Sequence, residues 1–397
     1  MEDEKKYILL QNNLSVSYTD QKCFVNDEEC KKDDGTPFTT EEVSKIAESY
    51  KHKFYNSFLK KHYKHLVILT AAGTSLDNGD NSGKTRDGLW EDCQVLIDAF
   101  SSEIENFKEK PFYKKKDIEA LLSFIILIEK TDETKKTKIE PHRLKLQDKI
   151  KEDCTLKLDE AKAPHKDFLN KITARKNNDS RIQLFTTNYD TLFEQAANNA
   201  GFVIIDGFSF THPREFAGKW FDLDIVNREK TRLKQEESFI AKVFHLYKLH
   251  GSLNWTKEQN RIVQKDNVEN PLIIYPASEK YESSYEQPYF EMMSRFQQAL
   301  RKEETLLIVI GFGFQDKHIK NVIVEAVEQN PSFQLLIVNY NSKGCISSDN
   351  LDEFFTDKEE LKVKRNVNIV FDKFKNFTDN YPENQTYFLK DKENETF

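Results

Sequence analysis

The sequence predicts an α/β fold built on a doubly wound, largely parallel sheet with a helical subdomain inserted into it, and three observations carry that reading. First, near-continuous apolar runs recur at wide intervals: Leu66–Leu69, Ile182–Phe185, Phe202–Ile205, Leu272–Tyr275, Leu306–Ile310 and Leu335–Val338, with a shorter one at Ile369–Phe371. Runs of this kind suit parallel strands covered by helices on both faces. Second, helical periodicity fills the spaces between them. Leu192, Phe193, Ala196 and Ala197 make one stripe, stopped by Gly201; Ile319, Val322, Ile323, Ala326 and Val327 make another, ended by Asn330-Pro331. Third, residues from about 95 to 180 are helix-like and lysine-rich, too long for a connection between the first two strands. Strand and helix alternating in this way is a Rossmann-like winding.

The expected organisation is an N-terminal arm and lead-in helix over 1–55, a main domain over 56–375 with its helical insertion at about 95–180, and a tail over 376–397. The first 40 residues are polar and read as irregular. A second insertion, about 208–240, carries Pro213, Trp220 and a charged run.

Composition narrows the class. Apolar residues make up 38% and charged residues 32%, enough for a core beneath a heavily charged surface. A net charge of -8 spread along the chain argues against general affinity for nucleic acid, so any such contact is expected only through a partner. The five cysteines, at 23, 30, 93, 154 and 345, have neither disulfide-framework nor zinc-knuckle spacing. The longest apolar stretch, Leu121–Ile128, is too short to span a bilayer, and the charged start lacks a signal-peptide pattern. A cytoplasmic protein with no membrane association is expected.

Five segments at strand ends carry the candidate chemistry. Thr70-Ala71-Ala72-Gly73-Thr74-Ser75 follows the first strand, and its small residues let backbone N–H groups approach a phosphate, although a plain tight turn fits as well. Phe185-Thr186-Thr187-Asn188-Tyr189-Asp190 ends the next strand; Asn188 and Asp190 suit helix capping, and Asn188 equally suits holding a ribose hydroxyl or a water. In Lys248-Leu249-His250-Gly251-Ser252, His250 is either a packed histidine or, near neutral pKa, a proton acceptor; His245 reads as packing. Gly311-Phe312-Gly313-Phe314-Gln315-Asp316 permits close backbone approach at Gly311 and Gly313, with Asp316 as a helix cap. Asn339, ending the last strong strand, is either a turn residue or a contact to an adenosine ribose.

Taken in order, a small-residue loop with Ser75, then Gly88-Leu89-Trp90, Thr-Asn-x-Asp, Leu-His-Gly-Ser and Gly-Phe-Gly-Phe resemble the sirtuin-like superfamily from about residue 66 to 341. The resemblance implies that NAD is bound as a substrate, with Asn188 and His250 as the catalytic pair and Asp190 beside the nicotinamide. It places Ala72, Gly73, Ser75 and Thr187 at the phosphate and ribose side, and Gly311, Gly313 and Asn339 at the adenosine side. Two departures matter. Arg86 lies too near Gly88-Leu89-Trp90 to take the place of the family's loop arginine. Residues 251–305 contain no cysteine, so the four-cysteine zinc module of protein-deacylating sirtuins is missing and no zinc or other metal is expected.

That pattern is similar to the sirtuin-like NADases of bacterial antiphage defence, most of all the stand-alone subunit paired with a HerA-type ATPase. It implies an NAD+ glycohydrolase giving nicotinamide and ADP-ribose, working as a homo-oligomer in abortive defence. An NAD-dependent protein deacylase and a non-catalytic NAD or ADP-ribose sensor are the alternatives. The apolar stripe Leu121, Phe124, Ile125 and Ile128 either forms an interface or, the favoured reading, packs within its own subdomain.

Overall fold

In the computed structural model, the described residues are 5–176, 179–227, 239–266, 268–273, 287–340 and 342–383. Among them eleven strands form one sheet. They are β1 (Lys6–Gln11), β2 (Leu14–Tyr18), β3 (Cys23–Val25), β4 (Glu28–Glu29), β5 (His65–Thr70), β6 (Gln183–Thr186), β7 (Val203–Ile205), β8 (Val243–Lys248), β9 (Thr305–Ile310), β10 (Gln334–Asn339) and β11 (Val367–Phe371). The spatial order is β4-β3-β2-β1-β11-β10-β9-β5-β6-β8-β7. From β11 to β7 all neighbours are parallel, and β1 joins β11 antiparallel.

Side chains on successive residues of a strand point to opposite faces, and the apolar strands feed two cores accordingly. Val67, Leu69, Leu307, Val309, Leu335 and Ile337 enter one cluster, while Leu66, Ile68, Leu306, Ile308, Leu336 and Val338 enter the other. All six residues of β9 are buried. At about 1.5–3 kcal/mol for each fully buried aliphatic side chain, β9 and β5 form the most heavily stabilised part of the sheet.

Two expectations fail here. Residues 6–29 are not an irregular arm but an antiparallel meander that extends the sheet, with Ile8, Leu9, Leu10 and Val16 buried. β2 alternates with polar residues and β3 and β4 are only three and two residues long, which hides them from a search for long apolar runs, while β1 carries a single short run, Tyr7–Leu10, within a polar segment. The run at Leu272 does not join the central sheet. Ile273 makes an isolated bridge with Gly251, and Leu272 exchanges backbone bonds with Ser252 and Trp255. Pro271 just before it has no N–H to donate to a ladder; Ile274 and Tyr275 lie outside the described residues.

The helix Thr40–Phe58 begins with a capping box. Thr39 accepts from the Glu42 N–H, and Glu42 accepts from the Thr39 N–H at 2.8 Å, a pairing worth about 1 kcal/mol. Its buried Lys51 and Tyr55 both reach Asp372 just beyond β11, at 3.1 and 3.0 Å, and so fasten the helix across the sheet.

The insertion opens at Arg86 and contains the helices Arg86–Asp98, Ile118–Thr131 and Glu133–Cys154. It has its own apolar cluster, including Trp90, Ile97, Leu121, Ile125, Ile139 and Leu146, with Phe124 and Ile128 packed against it. The stripe on Ile118–Thr131 is therefore satisfied internally. Asp117 caps that helix by accepting from the Ala120 N–H, which places Glu119 in its first turn. Among the described residues no helix is long and apolar enough to cross a membrane.

Candidate active site

From β5 the chain proceeds to β6 on one side, and from β9 to β10 on the other. That reversal is a topological switch point, where open α/β sheets bind ligands at the carboxyl ends of their strands. Here the two chain segments touch through backbone alone. The Gly73 N–H donates to the Gly311 carbonyl at 3.3 Å. A Cβ on either glycine would stand 2.5 Å from the other's Cα, and Gly311 has φ +66. Only glycine fits this pair. Ala72 starts the short helix Ala72–Leu76 beside it, with Thr74 and Ser75 buried.

Across from this floor, the turn after β6 is tied into the same loop. Asn188 Nδ2 donates to Ser75 Oγ at 2.8 Å, Ala71 O at 3.1 Å and Thr74 Oγ1 at 3.2 Å. Ser75 Oγ in turn donates to Asp190 Oδ2 at 2.6 Å, a short bond to a carboxylate. The other oxygen of Asp190 accepts from the N–H of Leu192, the first residue of the following helix, whose N-cap is Thr191. The Thr187 N–H is bonded to Thr70 O at 3.0 Å, and Thr186 Oγ1 accepts from the Asn188 N–H. Asn188 is thus locked with its amide nitrogen turned into the loop. Asn188, Ser75 and Asp190 form one hydrogen-bonded chain that ends on Asp190, with Thr187 held beside it by Thr70.

Lys248, the last residue of β8, was not read from the sequence as a site residue. It is 2% exposed and donates to the Asp190 carbonyl and, at 2.9 Å, to Glu194. A lysine closing an otherwise buried strand was the available signal, because buried ammonium groups persist only where they are paired.

Two residues further on, His250 is 5% exposed. Gly251 follows at φ +86, where a Cβ would collide with the Leu272 carbonyl. His250 Nε2 lies 3.0 Å from Asp316 Oδ2, while the other oxygen of Asp316 caps the helix Lys317–Gln329 through the His318 and Ile319 N–H groups. Asp316 is therefore the cap that was expected and also the partner of the histidine. On the other ring edge, Nδ1 stands 3.7 Å from Glu119 Oε1, and the Tyr189 hydroxyl donates to that same oxygen at 2.7 Å. Glu119 arrives from the insertion, more than a hundred residues before its partner, and no local pattern marks it.

These carboxylates change the chemistry expected of the histidine. Burial works against a charged imidazole, but the bonds to Asp316 and Glu119 outweigh it and raise the His250 pKa to about 9. The imidazole is not poised near neutrality; it holds its proton there. Asp316 responds in the opposite sense: burial raises its pKa, the His250 contact lowers it, and the contact wins. Tyr289 is buried nearby, its hydroxyl without a hydrogen-bond partner among the described residues and its pKa pushed up by burial and by Asp316 and Glu119.

The remaining expected residues are more scattered. Asn339 ends β10, next to Gly311, whose N–H bonds to Val338 O. The Gly313 carbonyl accepts from Asn350. Arg86 is half-buried and donates to Lys115 O, away from these contacts. His245 rests against Phe221 and Tyr247, its pKa lowered to about 4 chiefly by burial, as suits a packed histidine. A cleft of about 360 Å³ opens between Lys151–Leu156 of the insertion and Leu253-Asn254, beside Thr191. Among the described residues no cluster of His, Cys, Asp or Glu could hold a metal ion.

The fold is that of an α/β protein whose candidate site lies at the switch point of a Rossmann-like sheet. Residues 183–369 match the SIR2-like domain. The match runs from β6 to the middle of β11, taking in Asn188, His250, Gly311 and Asp316. SIR2-like domains use NAD. The small-residue loop after β5 and the insertion lie outside the matched residues. No curated protein matches the chain.

Proposed function

We propose that the protein hydrolyses NAD+ at the nicotinamide–ribose bond. The observation that carries this reading is the convergence of Asn188, locked by Ser75, and His250, locked by Asp316, on the strand ends beside the Gly73–Gly311 contact. That contact leaves a floor without side chains, which suits a dinucleotide phosphate. In the reaction the glycosidic electron pair leaves with nicotinamide, which becomes neutral, and water bonds to the ribose carbon and gives up a proton. Asn188 holds the ribose or that water, and His250, once it has given up its own proton, takes the proton directly or through a ribose hydroxyl. Asp190 orients Ser75 and the turn carrying Asn188.

The cysteine-free stretch 251–305 argues against the zinc-supported groove of a protein deacylase, so water is the favoured acceptor and no zinc is required. Depletion of NAD in antiphage defence, assembly as a homo-oligomer and a HerA-type ATPase partner are the biological setting in which this activity fits. The test is to follow nicotinamide release from NAD+ by the purified protein without any acylated peptide. Asn188→Ala and His250→Ala should each lower the rate on the order of a hundredfold. Release only when an acyl-lysine peptide is added would establish the deacylase reading, and tight binding without release would establish the sensor.

A further inference from the structure

The insertion is the part of the chain that this mechanism leaves unused, yet one of its side chains reaches the centre of the site. Glu119 lies in the first turn of Ile118–Thr131. Its Oε1 accepts from the Tyr189 phenol at 2.7 Å and stands 3.7 Å from His250 Nδ1, the ring edge opposite Asp316. Tyr189 sits between Asn188 and Asp190, so one carboxylate oxygen touches both catalytic segments. The helix behind it is held by Leu121, Leu122 and Ile125, all buried in the insertion's own cluster.

We propose that Glu119 is a positioning residue of the active site, through which docking of the inserted helices governs whether His250 can accept a proton. The proposal rests on His250 being the base of the cleavage reaction. With both carboxylates in place the imidazole keeps its proton through neutral pH. When Glu119 is withdrawn, by movement of the insertion or by a substrate hydroxyl taking its place, only Asp316 remains to hold the charge. Of the ionisable groups on the elements packed around the ring, the Tyr189 phenol donates to Glu119, the Tyr289 phenol is buried beside both carboxylates, and the Lys248 ammonium is turned to the Asp190 carbonyl and Glu194. None of these supplies a second anion at Nδ1. Docked insertion therefore means a restrained base, and a displaced insertion a competent one.

The experiment compares wild type with Glu119→Gln, whose amide oxygen can still accept from Tyr189, and with Glu119→Asp, which keeps the charge on a shorter arm. The His250 titration is followed by NMR on histidine-labelled protein, and nicotinamide release is followed across pH. Glu119→Gln should lower the His250 midpoint by about one unit, and so raise the neutral fraction at pH 7 roughly tenfold. The acid limb of kcat/KM should move to lower pH by the same amount, and Glu119→Asp should recover part of both shifts. A His250 midpoint unchanged in Glu119→Gln overturns the proposal, as does a midpoint shift with an unmoved acid limb. If the midpoint shifts but no variant, wild type included, releases nicotinamide, the control of His250 by Glu119 stands and the cleavage reading is what fails.

Discussion

His250 and His165 are both buried, and their surroundings drive them in opposite directions. His165 lies edge-on to Phe193 and Phe374, with neither ring nitrogen hydrogen-bonded among the described residues, and burial lowers its pKa to about 3. A group whose folded pKa is depressed stabilises the fold above its unfolded value of about 6.5, and that stability is lost as pH falls towards the folded value. At pH 5 the loss should be about 2 kcal/mol. Urea midpoints at pH 7 and pH 5 should show it in wild type but not in His165→Leu; an equal acid sensitivity in both would refute the assignment. For His250 the sign reverses. Its stabilising contribution is complete below about 6.5 and disappears as pH rises through about 9. On the proposed mechanism the same titration governs catalysis, so nicotinamide release should climb from neutral pH towards pH 9, and a flat profile over that range would exclude His250 as the base. A histidine after a strand was visible in the sequence; its charge state was not, because Glu119 and Asp316 come from segments 131 residues before it and 66 after it.

Glycines separate the turns that define the site from those that only end elements. Gly201 stops its helix at φ +71 with nothing near its missing Cβ, so Gly201→Ala should cost only about 1–2 kcal/mol of backbone strain. Gly73 is different, because an added Cβ would press on the backbone of Gly311. Gly73→Ala should cost about 1–3 kcal/mol and push β5 and β9 apart at their carboxyl ends. Comparing urea midpoints with NAD binding tests the distinction: Gly201→Ala should bind normally, and Gly73→Ala should not. Full NAD affinity in Gly73→Ala would show that the backbone contact is unrelated to the ligand. At this scale the strands β5, β9 and β10 and the helices Leu192–Asn199 and Lys317–Gln329 were readable, since long apolar runs and 3.6-residue stripes declare themselves. The β1–β4 meander was not, because strands of two to six residues with polar alternates look like loop until a partner is known.

Across the whole molecule, the sheet joins the two ends of the sequence. Leu9 pairs with Val370, and Gln11 donates to Asn368, 357 residues away. Truncation before Val367 would strip β1 and β10 of a shared neighbour and leave Lys51 and Tyr55 without Asp372. It should therefore yield an unfolded or aggregated chain rather than a smaller active one. A soluble, cooperatively melting product ending near residue 360 would contradict this. The domain class was readable at this scale because the parallel core obeys simple rules. The meeting of distant segments was not, since no local pattern records which strand will lie beside which.

The place of β9 has a consequence for how the protein is made. The chain leaves the ribosome from its N-terminus, and β5 emerges long before the strand that will lie beside it. Until residues 305–310 and then Asp316 have been synthesised, Gly73 faces no Gly311 and His250 has no Asp316. The meander must wait longer still, for residue 367. A nascent chain at first carries a His250 without the carboxylate that completes its surroundings, and the candidate site cannot assemble before residue 316 has been made.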